Sequence, residues 1–378
     1  MSKSNEGAPR VAVLGAGYAG LTAAKLVAKH SGAAVTLIND RELFQERMRN
    51  HQLASGHRLR DIPLRDLVKR TGIQLVIDRV TDIDLEDRQV QLISEAEPVE
   101  YDTLIYALGS HADLGTVPGA TEHGTAVATA EHARQLRDRV GSASTIAVVG
   151  GGLTGIETVT ELAEAYPDRT VRLVTRGTPG AMLNERARQH LSRTFDRLGI
   201  EVVTDAAVAK VSGDGLLLES GDQVDADAVV WTTGFAVPML AREAGLGVDG
   251  RGRMLVDSTL RSVSHPNVYG VGDAADTRTE DGQEVRMGCG PGGIAGVIGA
   301  LAIADRLVDR TPRPYRYQDE ALHISLGRRD GIVQLGMDDH SRVLTGRLAA
   351  FIKERVALRG AVWGLRHPAV AVFGAKRF

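Results

Sequence analysis

Residues 148–157 read VVGGGLTGIE, and an earlier stretch at residues 11–20, VAVLGAGYAG, has the same form. In each, an apolar run ends in a turn with the spacing Gly-x-Gly-x-x-Gly and continues into a helical pattern. The first glycine permits a tight turn, the second lets the backbone approach a pyrophosphate, and the third lets the helix pack on the strand. The sequence therefore predicts two dinucleotide-binding turns, at 15–20 and 150–155.

The segments that follow the two turns come in the same order. After the first turn come a helix (15–29), the strand AVTLIND (34–40), an alternating segment (72–92) typical of a β-meander, and YDTLIYALGS (101–110). After the second come a helix (153–165), the strand TVRLVTR (170–176), a meander (199–220) and DADAVVWTTGF (225–235). A duplicated βαβ unit explains this order better than two chance matches. The later strand in HPNVYGVGDAAD (265–276) has no glycine turn before it, so we expect it to complete the first unit.

This pattern predicts an α/β protein with two Rossmann-like, three-layer dinucleotide-binding domains and a small C-terminal α+β domain. The predicted boundaries are 1–115 with 250–310 for the first domain, 116–249 for the second and 311–378 for the third. Within the third, SLGRRDGIVQLG (325–336) indicates strand-turn-strand, and 342–360 indicates a helix. The uncharged stretch from Met287 to Ala304 is interpreted as a buried helix, because a Gly/Pro-rich turn shortens its helical part.

Composition limits the function classes. The chain has 378 residues and a formal net charge of -3, which gives no bias towards nucleic acid. The single cysteine, Cys289, excludes an intrachain disulfide, a CxxC redox pair and a thiolate zinc site, and no metal site is expected. The polar start, MSKSNEGAPR, indicates no secretory signal, so the cytoplasm is the expected compartment.

The residues that close the second strand of each unit predict which ribose is bound. The first copy ends in Asn39 and Asp40, which can hydrogen-bond ribose hydroxyls. The second ends in Thr175 and Arg176. This strand end lacks the carboxylate of an NADH site and supplies a cation for a 2′-phosphate. This favours NADPH without excluding NADH. Glu157, in the first turn of the second helix, is either a carboxylate at the nicotinamide amide or simple compensation of the helix dipole.

Five motifs in this order resemble those of the two-dinucleotide-domain flavoproteins, the pyridine nucleotide–disulfide oxidoreductase superfamily. The first glycine turn is similar to its FAD turn and the second to its NAD(P)H turn. TLIYALGS and AVVWTTGF are similar to its two domain-linking motifs, and NVYGVGDAA to its second FAD motif. VTLINDRELFQERMRNHQLASG (35–56) and the C-terminal SLGRRDGIVQ resemble the branch of type II NADH dehydrogenases and apoptosis-inducing-factor-like oxidoreductases. The chain lacks the redox disulfide and has too few cysteines for a sulfide:quinone oxidoreductase.

The resemblance implies non-covalent FAD and NADH or NADPH as cofactors. The residues implied to bind FAD are Gly15, Ala16, Gly17, Tyr18, Ala19, Gly20, Asn39, Asp40, Arg41, Val80, Ala107, Gly109, Gly272, Asp273 and Pro291. Those implied to bind NAD(P)H are Gly150, Gly152, Leu153, Thr154, Gly155, Thr175, Arg176 and Gly234. A helix expected to start near Pro291 would point its positive end at the flavin.

Three residues are candidates for a part in the chemistry: Glu157, Cys289 and His51. Cys289 is expected just before the helix near Pro291, where it is either a functional thiol or merely a small tolerated residue. His51, with Gln52, faces the flavin or an acceptor, or is an ordinary surface histidine. The implied mechanism is hydride transfer from nicotinamide to flavin, followed by electron transfer to a second acceptor.

The acceptor is left open by the sequence. Residues 342–378 contain eight Lys/Arg and one acid, Glu354, and an apolar stripe at helical spacing, Leu344, Leu348, Phe351, Ile352 and Val356. This fits peripheral contact with the inner face of a membrane, which would give access to quinone, and equally a helix packed on its own domain or a homodimer contact. A quinone-like small acceptor leads the hypotheses. The alternatives are a ferredoxin-type partner, a pathway-specific tailoring reaction and a flavin redox sensor.

Overall fold

The first glycine turn follows the central strand of a five-stranded parallel sheet. The computed structural model describes residues 7–94, 97–317 and 321–375. The first elements are β1 (Arg10–Leu14), α1 (Tyr18–His30), β2 (Ala34–Asn39), α2 (Asn50–Ala54), α3 (Leu64–Val68), β3 (Gln74–Ile77), β4 (Val80–Asp84), β5 (Gln89–Leu92), β6 (Val99–Glu100), β7 (Thr103–Tyr106) and β8 (His111–Ala112). β1 pairs in parallel with β2 and β7, and its residues 11–14 are buried, as expected for a strand covered on both faces.

The second unit repeats this arrangement. Its elements are α4 (Ala120–His123), β9 (Gly124–Ala126), α5 (Ala130–Ser142), β10 (Thr145–Val149), α6 (Leu153–Ala165), β11 (Thr170–Val174), α7 (Glu185–Leu198), β12 (Glu201–Val203), β13 (Val208–Ser212), β14 (Gly215–Leu218), β15 (Gln223–Asp225), β16 (Ala228–Trp231) and β17 (Phe235–Ala236). The parallel sheet has the order β12-β11-β10-β16-β9, with β10 at its centre.

The third part of the chain returns to the first sheet before it forms new structure. It contains α8 (Leu240–Glu243), β18 (Met254–Leu255), β19 (Val268–Gly270), β20 (Ala275–Asp276), α9 (Cys289–Arg306), β21 (Ala321–Ser325), β22 (Gly331–Leu335), β23 (Arg342–Thr345), α10 (Gly346–Phe351), a π-helical segment (Ile352–Leu358), α11 (Arg359–Arg366) and α12 (Pro368–Ala375). β19 pairs in parallel with β7, so the first sheet has the order β3-β2-β1-β7-β19. The predicted α/β class with two parallel sheets is confirmed.

Two expectations about the meanders were only partly right. β3 and β12 join the parallel sheets, and the antiparallel three-stranded meanders are β4-β5-β6 and β13-β14-β15. The alternating pattern of 72–92 and 199–220 therefore spans a sheet strand as well as the start of a meander. The pattern could not separate the two, because β3 and β12 lie at sheet edges and are partly exposed, like the meander strand β4.

The helix predicted over 342–360 was wrong in its first four residues. Residues 342–345 form β23, which pairs antiparallel with β22, and the helix begins only at Gly346. The edge of β22 offers unpaired backbone groups to this segment, and tertiary pairing overrides the helical spacing of its apolar residues. The predicted strand-turn-strand at 325–336 is present as the end of β21 and β22.

The uncharged helix α9 is buried in the first unit, as expected. It packs against α1 at very short range, because a Cβ on Gly296 would lie 2.3 Å from the carbonyl oxygen of Ala19. Small residues let the two backbones approach this closely. Among the described residues, no helix is both long enough and apolar enough to span a membrane.

The C-terminal region shares its core with both units. Ile324 and Ile332, from β21 and β22, belong to the same buried cluster as Ile156 and Leu162 of α6. Leu365 of α11 belongs instead to the buried cluster of the first unit. This region therefore rests across the boundary between the two dinucleotide units, and residues from all three parts meet there.

Candidate functional site

The first glycine turn has the shape of a phosphate cradle. A Cβ on Gly15 would lie 2.5 Å from the carbonyl oxygen of Ala107, and one on Gly20 would lie 2.0 Å from the carbonyl oxygen of Gly15. No atom of the described residues lies within 4 Å of a Cβ built on Gly17. The outer two glycines are thus required by the protein itself, whereas the middle one faces open space at the start of α1.

Of the other turn residues, Tyr18 and Ala19 open α1 and Ala16 lies just before it. Ala16, Tyr18 and Ala19 are buried, so they contribute backbone groups at this end of the helix and no exposed side chain. The Tyr18 ring packs edge-on against Phe44 at 5.0 Å between ring centroids. These residues form the buried side of the glycine turn.

Asn39 has a different task from the one expected. Its Oδ1 accepts a hydrogen bond from the Ala16 amide at 2.8 Å, and its Nδ2 donates to the Arg41 carbonyl at 2.8 Å. Both ends of the amide are therefore committed to anchoring the glycine turn. Asp40, part-exposed and 3.5 Å from Arg41 and 3.9 Å from Arg79, is the residue left to meet a ribose hydroxyl.

Arg41 and Val80 lie on either side of this point. The Arg41 guanidinium is 3.8 Å from Glu131 in α5, so it reaches towards the second unit. Val80 begins β4 and is half-buried. Both stay predictions as contacts of the adenosine.

Asp273 joins three segments at the opposite end of the cradle. Its Oδ2 accepts a hydrogen bond from Ser110 Oγ at 2.6 Å, and its Oδ1 accepts one from the Gly288 amide at 2.8 Å. Arg47 lies 4.0 Å from the same carboxylate and donates to the Ser110 carbonyl. A carboxylate held this way has a fixed direction and lone pairs left for a polyol chain.

Gly109 and Gly272 provide the backbone on which Asp273 and Ser110 meet. Gly109 adopts a positive φ of 68°, and a Cβ on Gly272 would come within 3.0 Å of the Ala19 side chain. Ala107 supplies the wall that Gly15 contacts. Ala107, Ser110 and Asp273 thus lie in one strip beside the first glycine turn, and binding of FAD by the implied residues stays a prediction.

The helix at the end of this strip starts earlier than predicted. α9 begins at Cys289, with Gly288 before it, so Pro291 is its third residue and Cys289 its first. Proline is tolerated there because the first amides of a helix have no partner within it. The positive end of the helix dipole still faces the strip.

The second glycine turn repeats the geometry of the first. A Cβ on Gly155 would lie 1.8 Å from the Gly150 carbonyl oxygen, and one on Gly150 would lie 2.7 Å from Thr232 Oγ1. The space around Gly152 is open to 4 Å as far as the structure describes the chain. Leu153 and Thr154 open helix α6. Gly234, with a positive φ of 75°, lies on the linker beside the turn.

Thr175 and Arg176 differ in exposure to solvent. Thr175 is buried, and a Cβ on Gly151 would lie 2.6 Å from its Oγ1, so the threonine supports the turn from beneath. Arg176 is exposed. Any selection by charge at this strand end therefore rests on Arg176.

Glu157 points away from the glycine turn into a buried polar cluster. Its Oε1 accepts hydrogen bonds from the Ser325 amide at 3.0 Å and from Lys353 Nζ at 2.8 Å. Its Oε2 lies 3.9 Å from His51 Nδ1, and His51 Nε2 lies 3.2 Å from Ser325 Oγ. These four residues, Glu157, His51, Ser325 and Lys353, are called the junction cluster below, because they come from α6, α2, β21 and the π-helical segment.

The charges of the junction cluster follow from its contacts. Burial alone would raise the pKa of Glu157, but Lys353, His51 and the Ser325 amide outweigh it and hold that pKa below its ordinary value. Burial lowers the pKa of His51 to about 4, despite the opposing effect of Glu157. At neutral pH the cluster therefore holds a carboxylate, a lysine ammonium and a neutral imidazole.

Compensation of the helix dipole is thus not the main task of Glu157. Its bonds to Lys353 and Ser325 commit it to the boundary of all three parts of the chain. His51 is buried, so its interpretation as a surface histidine was wrong. Gln52 is also buried and contacts Glu354 at 3.3 Å.

Cys289 is the first residue of α9 and carries a perturbed thiol. Burial raises the pKa of this thiol to about 11, and the charges that oppose this effect include Arg47 and Lys353. The group is a neutral thiol at neutral pH, which argues against a nucleophilic thiolate. Among the described residues, no group of His, Cys, Asp and Glu is arranged to hold a metal ion.

Sequence reasoning missed Lys353 and Ser325. Ser325 is 168 residues from Glu157 and 274 residues from His51 along the chain. Lys353 counted only as one of the basic residues of the tail. The surrounding apolar stripe indicated a helix, but no spacing rule connects a C-terminal lysine to a glutamate in a distant helix.

Comparisons with known proteins agree with this geometry. Residues 9–302 match the family model described as pyridine nucleotide-disulphide oxidoreductase. An NADH dehydrogenase-like protein of Mycobacterium tuberculosis is 32% identical over 333 residues, covering 80% of this chain and 81% of the relative. A demethylphylloquinone reductase of Synechocystis is 27% identical, covering 87% of each chain. The structure of NDH2 from Plasmodium falciparum in complex with NADH superposes with a TM-score of 0.79 at 16% identity, over 95% of this chain and 96% of that one.

Proposed function

The chain belongs to the pyridine nucleotide-disulphide oxidoreductase family, and we propose that it is an FAD-dependent dehydrogenase that oxidises NADH or NADPH and reduces a quinone. Its single cysteine leaves it without the redox disulfide that gives the family its name. The names of two relatives, NADH dehydrogenase-like protein and demethylphylloquinone reductase, support this proposal.

The observation that carries the proposal is the pair of matching cradles. In each turn the outer glycines are packed against backbone or a neighbouring side chain, and the middle glycine faces open space at a helix start. Such a helix start attracts a pyrophosphate through its free amides and dipole. Two cradles on two sheets suit one resident dinucleotide and one exchangeable dinucleotide.

The residues of the first unit fit FAD. Asp40 is free to meet the adenosine ribose, and the fixed Asp273 carboxylate is placed for the polyol chain. The start of α9 supplies partial positive charge where a reduced flavin ring would carry negative charge. When bound, FAD would take a hydride from nicotinamide and pass two electrons to the acceptor.

The junction cluster has groups suited to a quinone. Lys353 places a cation in the junction cluster, where it would stabilise negative charge on a quinone oxygen. Glu157 holds that cation in place through a 2.8 Å contact, and neutral His51 lies 3.9 Å from the same carboxylate. These residues would hold the charge and the protons that quinone reduction requires.

The C-terminal surface supports a membrane-borne acceptor. Leu348, Phe351 and Val356 each leave 58–59% of their surface exposed, so the apolar stripe is not packed on its own domain. The exposed basic residues Arg347, Arg355 and Arg359 of the same region complement anionic lipid headgroups. We therefore propose peripheral contact with the membrane, through which a lipid-soluble quinone would reach the junction cluster.

One experiment tests the proposed function. The purified protein is examined by visible spectroscopy during anaerobic titration with NADH and with NADPH, and a short-chain quinone is then added. We expect a flavin spectrum that one or both nucleotides bleach and that the quinone restores within the turnover time. Bleaching without reoxidation by quinone would instead indicate another acceptor, such as a ferredoxin-type protein, and no flavin spectrum would reject the proposal.

A further inference from the structure

A second buried glutamate, Glu161, lies one helical turn beyond Glu157 on α6. Residues four apart on a helix share a face, so the two carboxylates lie along the same side of α6. Glu161 is only 1% exposed, yet neither the dinucleotide cradles nor the junction cluster uses it. A buried carboxyl group of this kind needs a physical reason, since burial without full pairing is costly.

The surroundings of Glu161 leave its charge incompletely satisfied. His57 Nε2 and Arg328 Nε each lie 3.0 Å from Glu161 Oε1. Neither contact has hydrogen-bond geometry, and both oxygens are without a hydrogen-bond partner in the part of the chain that the structure describes. The carboxyl group is therefore close to two nitrogen donors but hydrogen-bonded to neither.

The electrostatic balance keeps the proton of Glu161 exchangeable near neutral pH. Burial raises the pKa of Glu161 to about 7; Arg328 offsets part of this effect, while Glu164, Glu157 and Glu354 add to it. These groups come from α6 itself, the loop after β21 and the π-helical segment.

His57 completes the ring of charged groups around Glu161. It follows α2, and its side chain is 42% exposed, so it meets bulk solvent on one side and Glu161 on the other. Burial lowers its pKa, as does Arg328, while Glu164 and Glu354 act in the opposite direction. An imidazole can take up a proton at one ring nitrogen and release one from the other, which suits such a boundary.

Arg328 and Glu354 are held by other partners. Arg328 lies 3.5 Å from Glu354, and Glu354 is 2.8 Å from Arg49. These charges are fixed by their pairing. Glu161 and His57 lie beside these pairs, with His57 Nε2 3.0 Å from Glu161 Oε1.

We propose that His57 and Glu161 form the proton inlet of the site, passing protons from solvent along α6 to Glu157 and the junction cluster. The inference rests on the proposed function. A reduced nicotinamide gives up two electrons and one proton as a hydride, whereas a quinone takes up two electrons and two protons to become a quinol. One proton per turnover therefore has to enter from solvent.

In this arrangement Glu161 and His57 are positioning residues for the proton and do not touch the acceptor. His57 takes up a proton from solvent at Nδ1 and releases the proton on Nε2 to Glu161 Oε1, 3.0 Å away. Glu161 then gives its proton up towards the junction cluster, one turn away on the same face of α6, as the reduced acceptor takes up a proton there. Each step breaks one O–H or N–H bond and forms another, and no further oxidant or reductant is needed.

The test separates the two half-reactions. Wild type and Glu161→Gln are reduced with NAD(P)H and then mixed rapidly with a soluble short-chain quinone, in H2O and D2O, between roughly pH 5.5 and 9. We expect Glu161→Gln to be reduced at the wild-type rate but reoxidised about tenfold or more slowly. The wild-type reoxidation rate should fall as pH rises through about 7, because Glu161 then loses its proton. This pH limb and the solvent isotope effect should be absent from the variant.

Glu164→Gln is the matched control. Glu164 lies on the same helix and accepts from the Arg328 amide, so its change removes a nearby negative charge without interrupting the route. We expect it to keep the solvent isotope effect and the reoxidation rate within about twofold of wild type. If Glu164→Gln slowed reoxidation as much as Glu161→Gln, the proposal of a proton inlet would be overturned.

His57→Ala provides a second, surface-located variant in case Glu161→Gln does not fold. Slow reoxidation that added imidazole restores would support the inlet, whereas wild-type reoxidation without imidazole would overturn it. A Glu161→Gln protein with the wild-type pH profile and isotope effect would also overturn it, leaving the proposed function intact. Failure of wild-type protein to be reoxidised by any quinone would overturn both.

Discussion

At the scale of single residues, the glycines of the two turns have different physical tasks although their spacing is the same. The third glycine of each turn is required by the fold, because its Cβ would meet the first glycine's carbonyl oxygen at 2.0 Å or less. The second glycine is not crowded by the protein, so its absence of a side chain serves the ligand. Substitutions can therefore separate folding from binding.

We predict that Gly152→Ala folds normally but raises the KM for NAD(P)H about tenfold or more, because the added methyl group occupies the place of the pyrophosphate. Gly155→Ala should destabilise the protein by about 2 kcal/mol or more, because its methyl group would overlap the Gly150 carbonyl. Steady-state kinetics and thermal unfolding measure the two effects. Gly141→Ala, in open space on α5, is the neutral control. A wild-type KM in Gly152→Ala would contradict the assignment of the second turn.

The nucleotide preference is a second property decided by one residue. Arg176→Ala should lower kcat/KM for NADPH about tenfold or more while changing that for NADH little, because a charge-assisted bond to the 2′-phosphate is lost. Arg172→Ala, four residues earlier and within β11, removes a cation already paired with Glu201 at 2.6 Å and should leave the preference unchanged. Equal losses with both nucleotides in Arg176→Ala would show that this arginine does not select.

Thr175→Glu would be a poorer test of the nucleotide preference than Arg176→Ala. Thr175 is buried beneath Gly151, with its Oγ1 only 2.6 Å from where a Cβ on Gly151 would lie. A larger, charged side chain would disturb the turn before it could meet a ribose. The exposed Arg176 is therefore the residue to change first.

At the scale of elements, a buried lysine adds polar contacts to the apolar packing that holds the C-terminal helices to the first unit. Lys25 of α1 donates hydrogen bonds through Nζ to the carbonyls of Leu365 at 2.6 Å and Arg366 at 3.2 Å. These carbonyls end α11, where a helix has acceptors without partners and attracts positive charge. Lys25 thus caps one helix from the middle of another.

We predict that Lys25→Met loosens the C-terminal helices. The substitution keeps the volume of the side chain but leaves the two carbonyls without their donor, at a cost of about 1–3 kcal/mol. Limited trypsin digestion should cut near Arg366 faster than in wild type, and the melting temperature should fall. Lys29→Met, one turn later and exposed, is the control. Unchanged digestion would mean that apolar packing alone holds these helices.

At the scale of the whole molecule, the junction cluster exists only because the C-terminal region rests on both dinucleotide units. The sheet β21–β23 buries its apolar face with α6, which brings Ser325 to Glu157. The π-helical segment then places Lys353 inward, where it donates to the His323 carbonyl at 2.9 Å and pairs with Glu157, while Val356 faces outward. One segment thereby serves the buried site and the outer surface together.

The exposed apolar residues of α10 and the π-helical segment lead to a prediction about membrane binding. Changing Leu348, Phe351 and Val356 together to serine should reduce co-sedimentation with anionic vesicles about tenfold or more, because their exposed apolar surface no longer enters the lipid. Turnover with a short-chain quinone should be unchanged. Ile93→Ser with Val263→Ser removes equally exposed apolar groups from the first unit and is the control. Wild-type protein that stays in the supernatant would reject membrane contact by this surface.

The sequence by itself determined the architecture, since the features that define it are local. Three glycines at fixed spacing, an apolar strand before them and a helix after them can be recognised within about 20 residues, and their repetition predicted two parallel sheets. The uncharged helix α9 was predicted to be buried for the same kind of reason. Two boundaries were predicted incorrectly: α9 starts at Cys289, two residues before Pro291, and residues 342–345 form a strand where a helix was expected. Helix ends and sheet edges depend on partners elsewhere in the chain.

Only the tertiary structure decided what Glu157, His51 and Asn39 contact. The carboxylate of Glu157 meets a serine 168 residues away, and its pKa depends on the balance between burial and Lys353. No spacing rule contains such a distance, because side chains in a junction of three parts are brought together by packing of the whole chain. The dinucleotide turns follow from short-range backbone geometry; the groups that handle charge and protons follow from how the parts meet.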